Sequence, residues 1–267
     1  AGFVALGVLG PAIAGYDPRA LSAESLQGPS RGHLLGTNQL GQDLASQMLY
    51  GAQTSLLMAA VTATATLVLA TVVGVTAGWA GRTVDVVLMR FVDIMLATPR
   101  LPLLIVIGAF FGDDMGTVAL AMAAVFWPGP ARMIRGQVRS LRERMHVRAA
   151  VSFGAGRAHL IRHHVLPDVS LILAASLVST AGRAVLFESG LAFLGLGDPF
   201  RTSWGSMLRE SRTVVGLFYS DIWMWWILPP IVAMVLVLLG LTFISMALEE
   251  RVNPRVARHA HRQRALR

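Results

Sequence analysis

Two stretches of this chain run without a charged residue for more positions than a helix needs to cross a membrane. Residues 44–81 hold none, and residues 222–248 hold none. About 20 apolar residues span a hydrocarbon core as a helix. A helix also satisfies its own backbone donors and acceptors in lipid, which an open strand does not. These runs set the fold class as an all-α integral membrane protein. Composition agrees, since only 14% of the 267 residues are charged, against roughly 25% in a soluble domain.

What is missing narrows the chemistry. All 23 basic residues are arginine, and neither lysine nor cysteine occurs. A phosphate-binding loop of the G-x-x-x-x-G-K-[ST] type is therefore excluded, as are a Schiff-base lysine, disulfides and thiolate metal sites. The net charge of +8 raises the question of nucleic acid, and the placement of the arginines answers it.

Six apolar segments predict six transmembrane helices, over about 1–15, 54–80, 84–111, 116–131, 169–187 and 222–248. The first is short and reads as a trimmed or tilted helix; a signal peptide is the alternative, with no basic region ahead of it. Arginine marks the cytoplasmic side of a span. Residues 132–162 hold eight arginines and one acid, Glu143, and residues 249–267 hold six arginines. Residues 16–50 carry two arginines against three acids, and residues 191–223 carry three of each. Six spans with both termini in the cytoplasm put the two heavy clusters on one side. The surplus is then a matter of orientation, and no nucleic-acid partner is implied. The chain divides as 1–51 (first segment and extracytoplasmic loop), 52–248 (transmembrane core) and 249–267 (basic tail, an inner-surface anchor or disordered). No internal repeat or low-complexity segment is visible.

Local signals fit a bilayer. Trp223, Trp225 and Trp226 precede the last apolar run, where an aromatic belt is expected, and Pro229 and Pro230 are expected to kink it. Pro128 and Pro130 are expected to break the fourth segment. Gly74 and Gly78 would let another helix approach closely.

Between two apolar segments lies HVRAAVSFGAGRAHLIRHHVLP, residues 146–167. Ala149, Ala150 and Phe153 share a helical face by their spacing, with Arg148 beside them. Gly154 and Gly156 interrupt the helix. Leu166-Pro167 predicts the restart of a helix, because proline suits a first turn. This describes a short exposed helix at about 146–157 with a small-plus-aromatic face, a docking surface or a loop held by lipid headgroups.

The same residues resemble a family motif. E-A-A, three residues, G, nine residues, I-x-L-P marks permease subunits of ABC importers. Here it reads R-A-A at 148–150, Gly154, and H-V-L-P at 164–167. Ala149, Ala150, Gly154, Leu166 and Pro167 match; Arg148 and His164 depart. The blocks GTNQLGQDLASQMLYGAQTSL (36–56), RFVDIMLATP (90–99), FWPGPARMIRGQVRSLRER (126–144), ESGLAFLGLG (188–197) and SWGSMLRES (203–211) resemble the dipeptide/oligopeptide branch, in its C-type member.

That resemblance implies a type I ABC importer transmembrane domain with six helices and a cytoplasmic coupling helix. The implied residues for ATPase coupling are Arg148, Ala149, Ala150, Phe153, Gly154, His164, Leu166 and Pro167. The implied partners are a second homologous permease in a heterodimer, two cytoplasmic ATPases that hold ATP and magnesium, and an extracytoplasmic peptide-binding protein, within an inner membrane. The chain itself is then no enzyme and binds no cofactor or metal. A nickel or other small-solute importer shares these motifs, and a membrane metalloenzyme or a scaffold are the readings outside the class. An arginine at 148 would repel a basic contact on the ATPase unless that contact has changed sign too; the expectation is an asymmetric coupling in which the partner permease carries the more usual motif.

Other residues invite roles. His159 and His163, four apart, could share a face as metal ligands do, with His164 beside them. Arg183 and Glu188 are ionisable within the fifth segment, a functional position by default. They are expected along the substrate pathway, with Arg183 meeting a peptide carboxylate or a neighbouring helix. Arg90 and Asp93 are spaced as an ion pair on one helix. Asp43 sits in a glycine-flanked turn, as a contact for the binding protein or as part of the turn itself.

Overall fold

A computed structural model describes residues 2–21 and 24–252. It is helical, with no strand among the described residues beyond one isolated bridge, Thr37 to Asp43. In chain order the helices are α1 (Gly2–Ile13), α2 (Leu44–Trp79), α3 (Arg82–Ala97), α4 (Arg100–Phe111), α5 (Met115–Phe126) and α6 (Pro128–Arg142). There follow α7 (Met145–Ser152), α8 (Arg157–Leu160), α9 (Leu166–Phe193), α10 (Trp204–Ser211), α11 (Ile222–Trp226) and α12 (Leu228–Val252).

Three helical stretches are long and apolar enough to cross a membrane: Leu44–Trp79, Arg157–Phe193 and Ile222–Glu250. Two more spans arise if α3 with α4, and α5 with α6, each count as one bent crossing. Both bends follow proline chemistry. Pro99 disfavours the helical region for Thr98, which is extended at ψ 130°. Pro128 and Pro130 sit in the first turn of α6, where a missing N–H costs nothing. The sequence anticipates the second bend, whereas it reads 84–111 as one run. The first apolar segment forms α1, 12 residues long, below the length of a span. The basic tail falls largely outside the described residues.

The chain forms two compact units. One comprises Ala1–Thr62, Leu101–Met122 and Ala181–Gly240; the other comprises Ala63–Arg100, Ala123–Thr180 and Leu241–Arg267. In the first, the largest fully buried side chains include Trp204, Trp226 and Leu44. Trp226 is thus a core residue and does not belong to an interfacial belt; Trp223 and Trp225 are half-buried. Gly51 and Gly205 let α10 in closely. A Cβ on Gly205 would lie 2.5 Å from the Ser189 carbonyl oxygen, and one on Gly51 would lie 3.1 Å from Trp204.

In the second unit, Val92, Ala131, Ile134, Val138, Val165 and Val169 build a core on which α2 rests through its small residues. A Cβ on Gly74 would lie 2.7 Å from the Ala131 carbonyl oxygen, and one on Gly78 would lie 2.7 Å from Val138 Cβ. The close approach expected of these two glycines is made to α6 of the same chain. Ser245 on α12 donates to the Ala175 carbonyl on α9 at 3.3 Å.

Candidate functional site

The short cationic stretch forms α7, which the core holds at a single point. Val147 is 1% exposed, while Arg148 and Ala149 are exposed, Met145 is 86% exposed and Phe153 is 91% exposed. Beyond the last turn, the Gly154 N–H donates to the Val151 carbonyl and the Ala155 N–H to the Ala150 carbonyl. These are the paired bonds of a Schellman cap. Gly154 sits at φ +83°, a region where a side chain costs about 1–2 kcal/mol. This is the physical reason for the glycine at that point of the motif. The base of α7 is tied down electrostatically, with Arg144 and His146 at 3.8 and 3.9 Å from the Asp168 carboxylate.

An α-helix does begin at Leu166 with Pro167 in its first turn, as expected, but no break precedes it. Helix runs continuously from Arg157 to Phe193. Residues Ile161–Val165, just before the proline, form a π-helical turn. Proline removes one intrahelical donor and its ring crowds the carbonyl four residues back; widening that turn makes room without ending the helix. His164 lies within the widened turn, and its ring centroid is 6.1 Å from that of His146. His159 and His163 stack at 4.3 Å, with a contact of 3.1 Å from His163 Nδ1 to the His159 carbonyl. Among the described residues, no group of three histidine or carboxylate side chains converges as a metal site does.

The acids of α3 face α6. Asp85 receives both Arg135 Nε and Nη2, with Arg139 at 3.7 Å. Asp93 receives Arg132. The expected Arg90–Asp93 pair within α3 is corrected accordingly, since the Asp93 partner comes from the next span. Part of the arginine cluster at 132–162 thus has structural partners within the chain.

In the first unit, Glu188 is buried at 5% exposure. Its Oε2 accepts from Ser55 Oγ at 3.1 Å and Ser189 Oγ at 3.3 Å. Ser55 Oγ in turn accepts from the Trp204 N–H at 3.4 Å. The Ser203 side chain caps α10 in a reciprocal box with Ser206, which fixes Trp204 over Gly51. Glu188 lines a small cavity of about 20 Å³ together with Asp198, Arg201 and Arg209. That volume holds about one water. Arg183 is half-buried on α9 and is not among the residues lining this cavity, as its 140° offset from Glu188 requires. The sequence did not single out Ser55, Trp204 or Arg209 for this site. The S-x-x-S spacing at 203–206 is the signal that could have marked a fixed helix start there.

Asp43 is 3% exposed. Its Oδ1 lies 2.9 Å from His33 Nδ1, and its Oδ2 accepts the Ser46 N–H at 2.7 Å, which caps α2. Both oxygens are engaged within the chain, which fits the alternative that Asp43 is part of the turn itself. Asn38 Oδ1 accepts the Leu40 and Gln42 N–H groups, so the block at 36–43 is a tight turn organised by its own side chains.

Residues 70–258 match the family described as the binding-protein-dependent transport system inner membrane component. The chain belongs to this family. A Brucella suis relative named as a peptide transport system permease protein is 34% identical over 251 residues, 93% of this chain and 83% of its own length. The dipeptide transport system permease protein DppC of Alkalihalophilus pseudofirmus is 34% identical over 232 residues, 86% of this chain and 75% of its own. Another Brucella suis relative, named as a peptide permease protein, is 33% identical over 242 residues. The resemblance read from the sequence blocks therefore stands. The all-helical fold is that of an ABC importer transmembrane domain, and the chain is a multi-pass transport subunit.

Proposed function

We propose that this permease forms one half of the membrane conduit of an ATP-driven importer of di- or oligopeptides. A second homologous permease completes the conduit, two cytoplasmic ATPases hold ATP and magnesium, and an extracytoplasmic binding protein delivers the peptide. The observation that carries this reading is α7. It is a capped helix with one buried anchor, Val147, and an exposed Ala149–Phe153 face. Small residues there admit a close-fitting socket, and burying a side chain like Phe153 supplies roughly 1.5–3 kcal/mol. ATPase closure would push on this helix and alternate the conduit between inward and outward states. The arginine-rich 132–162 stretch and tail face the cytoplasm in this reading, with both termini inside. Peptides are favoured over nickel because the relatives quoted above are named for peptide transport.

The test is to purify the tagged chain in mild detergent, identify what accompanies it by mass spectrometry, and measure its metal content. A second permease, two ATPases and a peptide-binding protein are expected. A chain that carries stoichiometric nickel or zinc and no ATPase contradicts the proposal.

A further inference from the structure

A groove of about 780 Å³ opens beside α7 at the end of the α2 span. Four arginines line it, Arg139, Arg142, Arg148 and Arg157, against one acid, Glu143. Trp79, the last residue of the α2 span, forms part of its wall, and the Arg142 guanidinium donates to the Trp79 carbonyl at 3.3 Å. We propose that this groove binds the phosphate headgroup of an anionic phospholipid.

Three observations lead there. Position comes first: Trp79 ends the apolar α2 helix, and tryptophan is enriched at headgroup level; in that placement the arginines beside it stand where lipid phosphates lie. Charge is the second. Arg139 lies 3.7 Å from Asp85, yet its side chain remains 60% exposed. The arginines outnumber the one lining acid by three, an excess that an anion would balance. The third is the shape of α7. Arg148, Val151, Ser152 and Ala155 turn to the groove, while Ala149 and Phe153 are not part of its lining. The face with the arginine in place of the motif's acid is thus separate from the exposed aromatic face. Val151, 53% exposed, offers the start of an acyl chain an apolar contact. Arginine suits this role because its planar fork takes two phosphate oxygens at once. A lipid seated here would brace α7 against the end of α2, and Arg148 becomes a headgroup ligand. The inference needs only the membrane placement and does not depend on which solute is carried.

The experiment is native mass spectrometry of the full chain, delipidated and titrated with dioleoyl-phosphatidylglycerol or dioleoyl-phosphatidylcholine. Native chain, an Arg148→Gln/Arg157→Gln variant and a charge-matched Arg19→Gln/Arg31→Gln variant are compared. The expected result is one phosphatidylglycerol retained by the native and charge-matched chains, with phosphatidylcholine retained far less. In the groove variant, affinity should fall roughly thirtyfold, from the loss of two arginine contacts. Equal affinity in the two variants, or equal retention of both lipids by the native chain, overturns the proposal. So does displacement of the lipid by millimolar inorganic phosphate, which marks a site for free anions. Binding of a polyglutamate peptide without binding of phosphatidylglycerol also overturns it and reassigns the groove to an acidic protein segment.

Discussion

Asp85 on α3 holds the Arg135 side chain of α6 by two hydrogen bonds, one to each carboxylate oxygen. Both groups are largely shielded, with side-chain exposures of 12% and 24%. Removing one partner leaves the other charge partly shielded and, for Asp85, with only the longer contact to Arg139, a loss of roughly 1–3 kcal/mol. Arg135→Ala should therefore lower the unfolding midpoint in detergent sharply, and Asp85→Asn should do nearly the same. The double variant Asp85→Ala/Arg135→Ala should lose less than the sum of the two singles. Additive losses would show that the pair contributes nothing as a pair.

Gly78 has no room for a side chain, because its Cβ would meet Val138 Cβ at 2.7 Å. Gly78→Val should cost about 1–3 kcal/mol by overpacking and reduce the yield of monodisperse protein. Gly136, where an added Cβ meets nothing within 4 Å, is the control, and Gly136→Ala should leave stability unchanged or slightly raised.

The inward orientation of Asp43 separates two roles by measurement. Asp43→Ala removes the α2 cap and leaves the His33 ring without its carboxylate partner, a loss of about 1–3 kcal/mol. Stability should fall in the permease on its own, with no binding protein present. If stability is unchanged while affinity for the binding protein drops, the carboxylate is a contact after all.

Glu210 on α10 lies outside the spans, and burial pushes its carboxyl above the usual range, opposed by Arg209 and Arg19. A raised acid pKa means that the folded state disfavours the charged form. Its penalty is absent below the unfolded pKa and grows as pH rises through the folded value. Glu210→Gln should stabilise the protein at neutral pH, and the gain should vanish as pH falls toward 4.5. Thermal midpoints of both forms between pH 8 and 4.5 test this.

The sequence made the spans legible because charge is so costly in hydrocarbon that its absence over 44–81 and 222–248 leaves little choice. The exposed helix was legible because Ala149, Ala150, Phe153 and Gly154 obey local rules of face and cap. Partners distant in sequence were not. Asp93 has an arginine three residues before it, yet it takes Arg132, because only the packing of α3 on α6 brings that guanidinium into reach. The π turn before Pro167 was hidden for a related reason. Proline reads equally as a helix start or as an interior residue, and whether the preceding turn can widen is not written in composition. Glu188 was visible as an acid in a span, whereas its Ser55 and Trp204 neighbours come from distant segments.

The most direct test of the account is coupling at α7. The full importer, with its ATPases and binding protein, would be reconstituted with native permease, with Ala149→Glu and with Phe153→Ala. Peptide-stimulated ATP hydrolysis and peptide uptake would then be measured together. Neither residue is buried in the chain, so both variants should fold as the native protein does. The account predicts that uptake and stimulated hydrolysis fall together, by roughly tenfold for a loss near 1.4 kcal/mol at the socket, while thermal stability stays unchanged. Native uptake with Ala149→Glu, in a complex that still holds its ATPases, would contradict it.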